Sequence, residues 1–256
     1  MKKTRVLTPL AIAVAALLSA QHAAADMWSD GDFVIRAGAS WVDPDDSDDN
    51  LRLTEDWIKE EFDIDSDTTW NISGAWLPVE HWGVELMYIG ATDHDMDLDR
   101  VIVGDNPSTI YDIDGYDIGN FEASYSNAYL NWYPLSRDCL GQPYVGIGVN
   151  YTDFSDEGFS RGYNDLLINN DVLATDASLG LGHSWGFTGQ VGVDFRFGRD
   201  SAFLVNAAVL YIDTDTDFNV YYKDARSNDP SITRRATVSD VDFSPWVFNL
   251  GVGYSF

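Results

Sequence analysis

The sequence predicts an all-β chain: an eight-stranded antiparallel up-and-down transmembrane β-barrel with short periplasmic turns and long acidic extracellular loops. Three observations carry that expectation. Eight segments alternate between apolar residues and polar or small ones, with the period of two that a strand imposes. The connections between them alternate short and long, and the strand count is even, as in barrels of the bacterial outer membrane. Aromatic residues gather at both ends of the segments on the apolar face, as interfacial girdles do.

The chain opens with Lys2, Lys3 and Arg5, continues through an apolar run from Leu7 to Ala20, and reaches the small residues Ala23, Ala24 and Ala25. This is the pattern of a secretory signal peptide, expected at 1–25 with cleavage after Ala25 and the barrel domain at 26–256. The apolar run is short for a membrane span, and no later stretch of 18 apolar residues exists.

The first strand places Phe33, Ile35, Ala37, Ala39 and Trp41 on one face and Arg36, Gly38 and Ser40 on the other. Trp70–Trp76 is the second. Gly83–Tyr88 is the third, with Glu85 opposite Val84 and Leu86, and Asn127–Trp132 is the fourth. Tyr144–Tyr151 sets Val145, Ile147 and Val149 against Gly146, Gly148 and Asn150. Trp185–Phe197 sets Val191, Val193 and Phe195 against Gln190, Asp194 and Arg196. Phe203–Tyr211 sets Val205, Ala207 and Val209 against Asn206, Ala208 and Leu210. In the last strand Trp246, Phe248, Leu250, Val252, Tyr254 and Phe256 alternate with Asn249, Gly251, Gly253 and Ser255 to the final residue.

Short turns are expected near Pro78–His81, Pro134–Pro143 and Gly198–Ser201, and long loops over Asp43–Asp67, Asp93–Gly119, Asp153–His183 and Asp213–Asp240. A soluble eight-stranded barrel or a β-sandwich also shows alternation. Two further features favour the membrane. The polar face is rich in glycine and alanine, which suits a crowded lumen. The aromatics form two rows: Trp41, Trp70, Tyr151, Trp185 and Trp246 at the long-loop end, and Trp76, Trp82, Trp132, Tyr133, Phe197 and Phe256 at the short-turn end.

Charge follows the same division. The 256 residues carry 15 Lys+Arg against 42 Asp+Glu, a formal net charge of −27. The four long loops hold 32 of those acids, which leaves the outward strand positions almost free of charge. The charged strand residues Arg36, Glu85, Asp194 and Arg196 all fall on the lumen side, where they are expected to pair as a plug. An unpaired buried charge is far too costly. The acidity excludes nucleic acid as a partner, and a 45% hydrophobic content excludes a disordered acidic chain.

Several segments resemble the OmpW family of small Gram-negative outer-membrane barrels. They are Phe33–Gly38 (FVIRAG), Trp82–Met87 (WGVELM), Asn131–Tyr133 (NWY) and Pro143–Phe154 (PYVGIGVNYTDF), then Ser184–Asp194 (SWGFTGQVGVD), Leu204–Asn206, Tyr211–Thr214 and Ser244–Phe256 (SPWVFNLGVGYSF). They keep the order of the chain and miss only the second strand. The resemblance implies a narrow barrel that lets small hydrophobic molecules cross the outer membrane, with an apolar outer half of the lumen, closed below, and sideways exit through the wall. At the positions matching the family's channel floor stand Met87 and Leu210. The family's usual pair is a Leu and a Trp, and here the Trp is missing. The long loops are longer and more acidic than the resemblance leads one to expect, and nothing is carried onto them.

Other chemistry is thinly supported. His22, His81, His94 and His183 lack metal spacing, and one cysteine, Cys139, builds no disulfide framework. Asp93, His94 and Asp95 are the sole candidates for a rim catalytic set, and a solvated loop is the plainer reading. Asp43–Asp49 and Asp213–Asp217 resemble calcium ligands in composition but lack the glycine-centred loop ending in Glu. No enzyme, cofactor or metal is therefore expected. Asn50–Glu61 is sketched as a short helix with Leu53, Trp57 and Ile58 inward.

The expected function is a passive conduit for small hydrophobic solutes with lateral release. The alternative is a structural or adhesive surface barrel whose polar core is only a plug. The expected partners are outer-membrane lipid and lipopolysaccharide, the solutes, and the barrel assembly machinery. That machinery would read Phe248, Leu250, Val252, Tyr254 and Phe256 on the final strand by edge pairing.

Overall fold

A computed structural model describes residues 32–44, 58–103, 110–136, 139–169, 171, 173–197 and 202–256. Among the described residues twelve strands and one helix follow in order: β1 (Asp32–Asp43), β2 (Ile58–Ile64), β3 (Asp67–Val79), β4 (Trp82–Val103), β5 (Ile110–Trp132), β6 (Gly141–Phe159), α1 (Arg161–Asn169), β7 (Leu173–Gly180), β8 (His183–Phe197), β9 (Phe203–Ile212), β10 (Asp215–Asp224), β11 (Arg234–Asp242) and β12 (Trp246–Ser255).

Eight of these strands close a barrel. The ring runs β1, β3, β4, β5, β6, β8, β9 and β12, each pair antiparallel. It shuts where β12 pairs with β1, from Val34↔Ser255 to Asp43↔Trp246. Closure leaves no edge in the ring, so every strand finds its ladder partners inside the wall.

The pleat sorts side chains by period two. Ile147, Phe187, Val191, Leu86 and Leu250 stand exposed on the outer surface, while Arg36, Glu85, Asn131, Gln190, Asp194 and Asn206 are buried inside. Trp41, Trp185 and Trp246 ring one rim, and Trp76, Trp82, Trp132 and Phe197 the other, all exposed. Tyr133 departs from the expected girdle and is buried in the lumen, 2% exposed. It follows Trp132 directly, and neighbours on a strand cannot share a face.

The long connections carry more structure than expected. β4 and β5 run past the outer rim as one tall hairpin, so most of Asp93–Gly119 is strand rather than loop. Alternation persists there with its meaning reversed. Thr92, His94 and Met96 are buried, while the acids Asp93 and Asp95 face water. β2 pairs with this extension of β4, so residues 58–61 are strand and not helix; residues 50–57 and the signal segment lie outside the described residues. The two later loops meet in a three-stranded sheet, β11–β10–β7, with α1 packed beside β7. Cys139 sits exposed in the turn between β5 and β6.

Candidate functional site

Arg36 on β1 anchors the lumen. Its Nη1 donates to Glu85 Oε1 of β4 at 2.9 Å, its Nε to Asp194 Oδ1 of β8 at 3.0 Å, and its Nη2 to Asp194 Oδ2 at 2.5 Å. The planar guanidinium forks across both carboxylates, a geometry an ammonium cannot reproduce. One cation between two carboxylates leaves negative charge to satisfy, and neutral amides supply the donors. Asn131 Nδ2 and Gln190 Nε2 reach Glu85 Oε2 at 2.7 and 2.9 Å. Asn206 Nδ2 reaches Asp194 Oδ1 at 2.8 Å and the Tyr144 hydroxyl at 2.9 Å. Tyr144 also places its ring 5.5 Å from the guanidinium carbon. Gly146 makes room for this knot: a Cβ there would stand 2.1 Å from Asn131 Oδ1.

Of the four charged residues expected to pair, the structure brings together Arg36, Glu85 and Asp194. Arg196 points to the lumen side two residues nearer the short-turn end, and its Nε has no hydrogen-bond partner. Arg36 already spans both carboxylates.

Outward from this knot the interior turns apolar. On β4 the inward positions step from Glu85 to Met87 and Ile89. On β9 they step from Asn206 through Ala208 and Leu210 to Ile212. Met87 and Leu210, the expected floor pair, therefore stand just above the charged knot, both buried within the apolar cluster. Higher still, Phe121, Phe154, Phe218 and Phe243 pack with tilted rings, neighbouring centroids 5.3–5.8 Å apart. Four buried polar atoms near the boundary lack partners: Ser73 Oγ, Asn127 Nδ2, Gln190 Oε1 and Asn249 Oδ1.

The wall is interrupted beside the apolar half. The β3–β4 ladder runs outward from Val79↔Trp82 to Asn71↔Ile89 and stops. Pairing to β4 resumes only on β2, at Ile64↔Met96. At the same height the β4–β5 register slips between Ile89 and Thr92. A bulge at Gly90–Ala91 thus breaks the regular ladder opposite Thr69 and Trp70. Side chains bridge the lapse. A nitrogen–oxygen hydrogen bond of 2.7 Å joins His94 Nδ1 to the Asp65 carbonyl, and the Asp93 N–H donates to Asp67 Oδ2 at 3.0 Å. The Trp70 indole lies over Gly90, where an added Cβ would come within 2.6 Å of its Nε1. Trp70 packs against Tyr88, ring centroids 5.5 Å apart and planes tilted by 49°. Below, on the outer surface, a groove of about 600 Å³ includes Gly74, Leu86, Tyr88, Ser126 and Ala128 in its lining.

His94 is buried above the outer girdle. Burial pushes its imidazole below the ordinary range, opposed by the Asp65 carbonyl and by the Asp67 and Asp93 carboxylates. Burial and then the carboxylates of Asp117, Asp65 and Asp93 push Asp95 up. Period two sets His94 inward and Asp93 and Asp95 outward, so the three do not converge as a catalytic set. Among the described residues no cluster of His, Cys, Asp or Glu has the makings of a metal site. Sequence reasoning missed the wall lapse. Its signal was the Gly90-Ala91 pair inside a long alternating run, where a strand glycine marks a bulge.

The final strand lays Phe248, Leu250, Val252 and Tyr254 along the outer surface. Phe256 donates its N–H to the Phe33 carbonyl at 2.8 Å, and its ring lies 5.0 Å from that of Tyr254.

Comparison with known proteins places these features in company. The sequence profile of the OmpW family matches residues 29–256. Outer membrane protein W of Escherichia coli (strain K12) is 30% identical over 250 residues, covering 98% of this chain and 99% of that protein. Outer membrane protein W of Vibrio cholerae serotype O1 is 30% identical over 231 residues, 89% of each chain. The crystal structure of the outer membrane protein OprG from Pseudomonas aeruginosa superposes with a TM-score of 0.65 at 30% identity. It covers 88% of this chain and 96% of OprG.

Proposed function

Because this chain belongs to the OmpW family and is an outer-membrane β-barrel, we propose that it takes up small hydrophobic molecules by diffusion and releases them sideways into the outer membrane. The observation that carries this reading is the lapse in the β3–β4 ladder beside the apolar half of the interior. A solute that leaves water gains about 25 cal/mol for each Å² of apolar surface hidden. It keeps that gain among Ile89, Leu210 and Ile212, and would lose it on entering the Arg36–Glu85–Asp194 knot, whose groups already satisfy one another. Met87 and Leu210 act as the floor, the knot as the plug. The exit lies between Asp67–Trp70 and Gly90–Asp95, behind the Trp70 indole.

The test is uptake in cells that depend on this protein. A medium-chain alkane or fatty acid ester should enter faster than in cells without it, while small sugars should not. Equal acceleration of sugars would make the protein a general porin and overturn the funnel.

A second reading is a structural surface barrel with no transport role. It is favoured by the packing of the interior, where Ile89, Leu210, Ile212 and Val247 are fully buried. Acceleration of neither class of probe would select it.

Lipopolysaccharide is proposed as a neighbour in the outer leaflet. The alternating outer row from Phe248 to Phe256 is proposed as the segment read by the barrel assembly machinery.

A further inference from the structure

The loop sheet above the barrel has two unlike faces. Leu173, Ala177, Leu179 and Phe218 are buried on one. The other bears Ser178, Asn219, Tyr221, Lys223, Arg235 and Thr237, placed together by the pairings Tyr221↔Ser178, Tyr221↔Arg235 and Asn219↔Thr237. In a chain of net charge −27, the stretch from Asn219 to Thr237 reverses the balance, with Lys223, Arg226, Arg234 and Arg235 against Asp224 and Asp229.

Among the described residues, Arg234 and Arg235 are oriented without being neutralised. Arg235 donates from Nε to Asn219 Oδ1 at 2.9 Å and from Nη2 to the same oxygen. Thr237 Oγ1 donates to that oxygen at 3.0 Å, which holds the amide in place. The Arg235 guanidinium carbon lies 5.9 Å from the centre of the exposed Tyr221 ring. Arg234 donates from Nη2 to Ser227 Oγ at 2.9 Å. All these acceptors are neutral oxygens, so among the described residues Arg235 keeps its charge and its remaining N–H donor for a partner on this face.

We propose that this face binds an acidic polysaccharide. Arg235 and Lys223 match carboxylate, phosphate or sulfate groups repeated along a sugar chain. Tyr221 offers an apolar ring with a polar tip to a sugar face, and Asn219, Thr237 and Ser178 offer hydrogen bonds to hydroxyls. Reach selects the sugar chain over a lipid phosphate. Tyr221 lies nine residues beyond Ile212, the end of β9, on the order of 30 Å of extended strand. The headgroup layer is only about 5–8 Å deep.

The experiment uses the folded protein in nanodiscs at physiological ionic strength. Three probes are compared by biolayer interferometry: dextran sulfate, neutral dextran, and phosphatidylglycerol vesicles. Dextran sulfate should bind, weaken with added salt, and exceed both other probes. The double variant Lys223→Gln, Arg235→Gln should bind about tenfold or more weakly, because both cations of the face are lost with their charge-assisted hydrogen bonds. Tyr221→Ala should bind several-fold more weakly. An unchanged gel shift between unheated and heated samples shows that the variants still fold. Dextran sulfate binding no better than neutral dextran overturns the proposal, and so does a double variant that binds like the wild type. Binding to the vesicles alone identifies a headgroup as the ligand and also overturns it.

Discussion

Arg36 and Asp194 stand 158 positions apart in the chain and meet through two side-chain hydrogen bonds, Nε to Oδ1 at 3.0 Å and Nη2 to Oδ2 at 2.5 Å. The contact joins β1 to β8 across the lumen rather than along the wall. With Glu85 on β4 it ties three non-adjacent strands of the ring to one side chain.

Removing that side chain strands two buried carboxylates. Arg36→Leu should destabilise the barrel by about 3–5 kcal/mol, the cost of breaking a buried pair from one side. Urea unfolding in lipid vesicles, followed by the gel shift, measures it. The triple variant Arg36→Leu, Glu85→Gln, Asp194→Asn removes the charge with the cation and should recover much of the loss. A single variant as stable as the wild type would show that water reaches the carboxylates.

The His94 bridge is expected to weaken in acid. Burial holds its pKa below the ordinary value, so the folded bridge keeps the ring neutral while an opened one protonates at about 6.5. The opened form then binds more protons, and the closed form loses stability as pH falls below about 6.5. Above that value the contribution is complete. Asp95, pushed up, acts in the opposite direction, starting from an ordinary carboxylate value near 3.8. Hydrogen exchange of the amides of Asp65–Trp70 and Gly90–Met96, corrected for intrinsic rate, should quicken between about pH 7.5 and 5.5. In His94→Gln that pH difference should vanish. If it persists, another group opens the segment.

Phe256→Asp should leave export intact and sharply reduce folded barrel in the outer membrane. Phe256 ends the outer aromatic row and meets the Tyr254 ring edge-on, centroids 5.0 Å apart. A carboxylate there exposes charge at the interface and spoils the row proposed for recognition by the assembly machinery. Fractionation with the gel shift reads both quantities. Unchanged membrane levels would remove the terminal aromatic from the assembly role.

The barrel was legible because period two is enforced over the whole length of strands such as β8 and β12, where one residue out of phase would put charge in lipid. Arg36, Glu85 and Asp194 were placed inside by that rule alone. Who pairs with whom was not legible, because Asp194 and Arg196 obey the same alternation and only the stagger between strands sets their heights. Tyr133 was misplaced because aromatic residues at strand ends were grouped by position before being sorted by face. The loops hid their strands for a related reason. Above the membrane, acids such as Asp93 and Asp95 take the outward positions that apolar residues hold below, and the alternation reads as loop chemistry.

The exit makes a pair of opposed predictions. Leu210 is fully buried just above the charged knot, so Leu210→Asp should place a carboxylate in the proposed path and slow entry of an apolar ester. Trp70 lies outside that path, covering Gly90 from the wall side. Trp70→Ala should remove the cover and speed entry of the same ester, while sugar entry stays low in both variants because the knot is untouched. A simple loss of fold would slow uptake in both, so the opposite signs separate the exit from instability, with the gel shift as control. If Trp70→Ala leaves the rate unchanged while Leu210→Asp lowers it, solute uses the lumen but leaves elsewhere. If neither variant changes the rate, the β3–β4 lapse is only a structural bulge, and the plugged structural barrel becomes the better account.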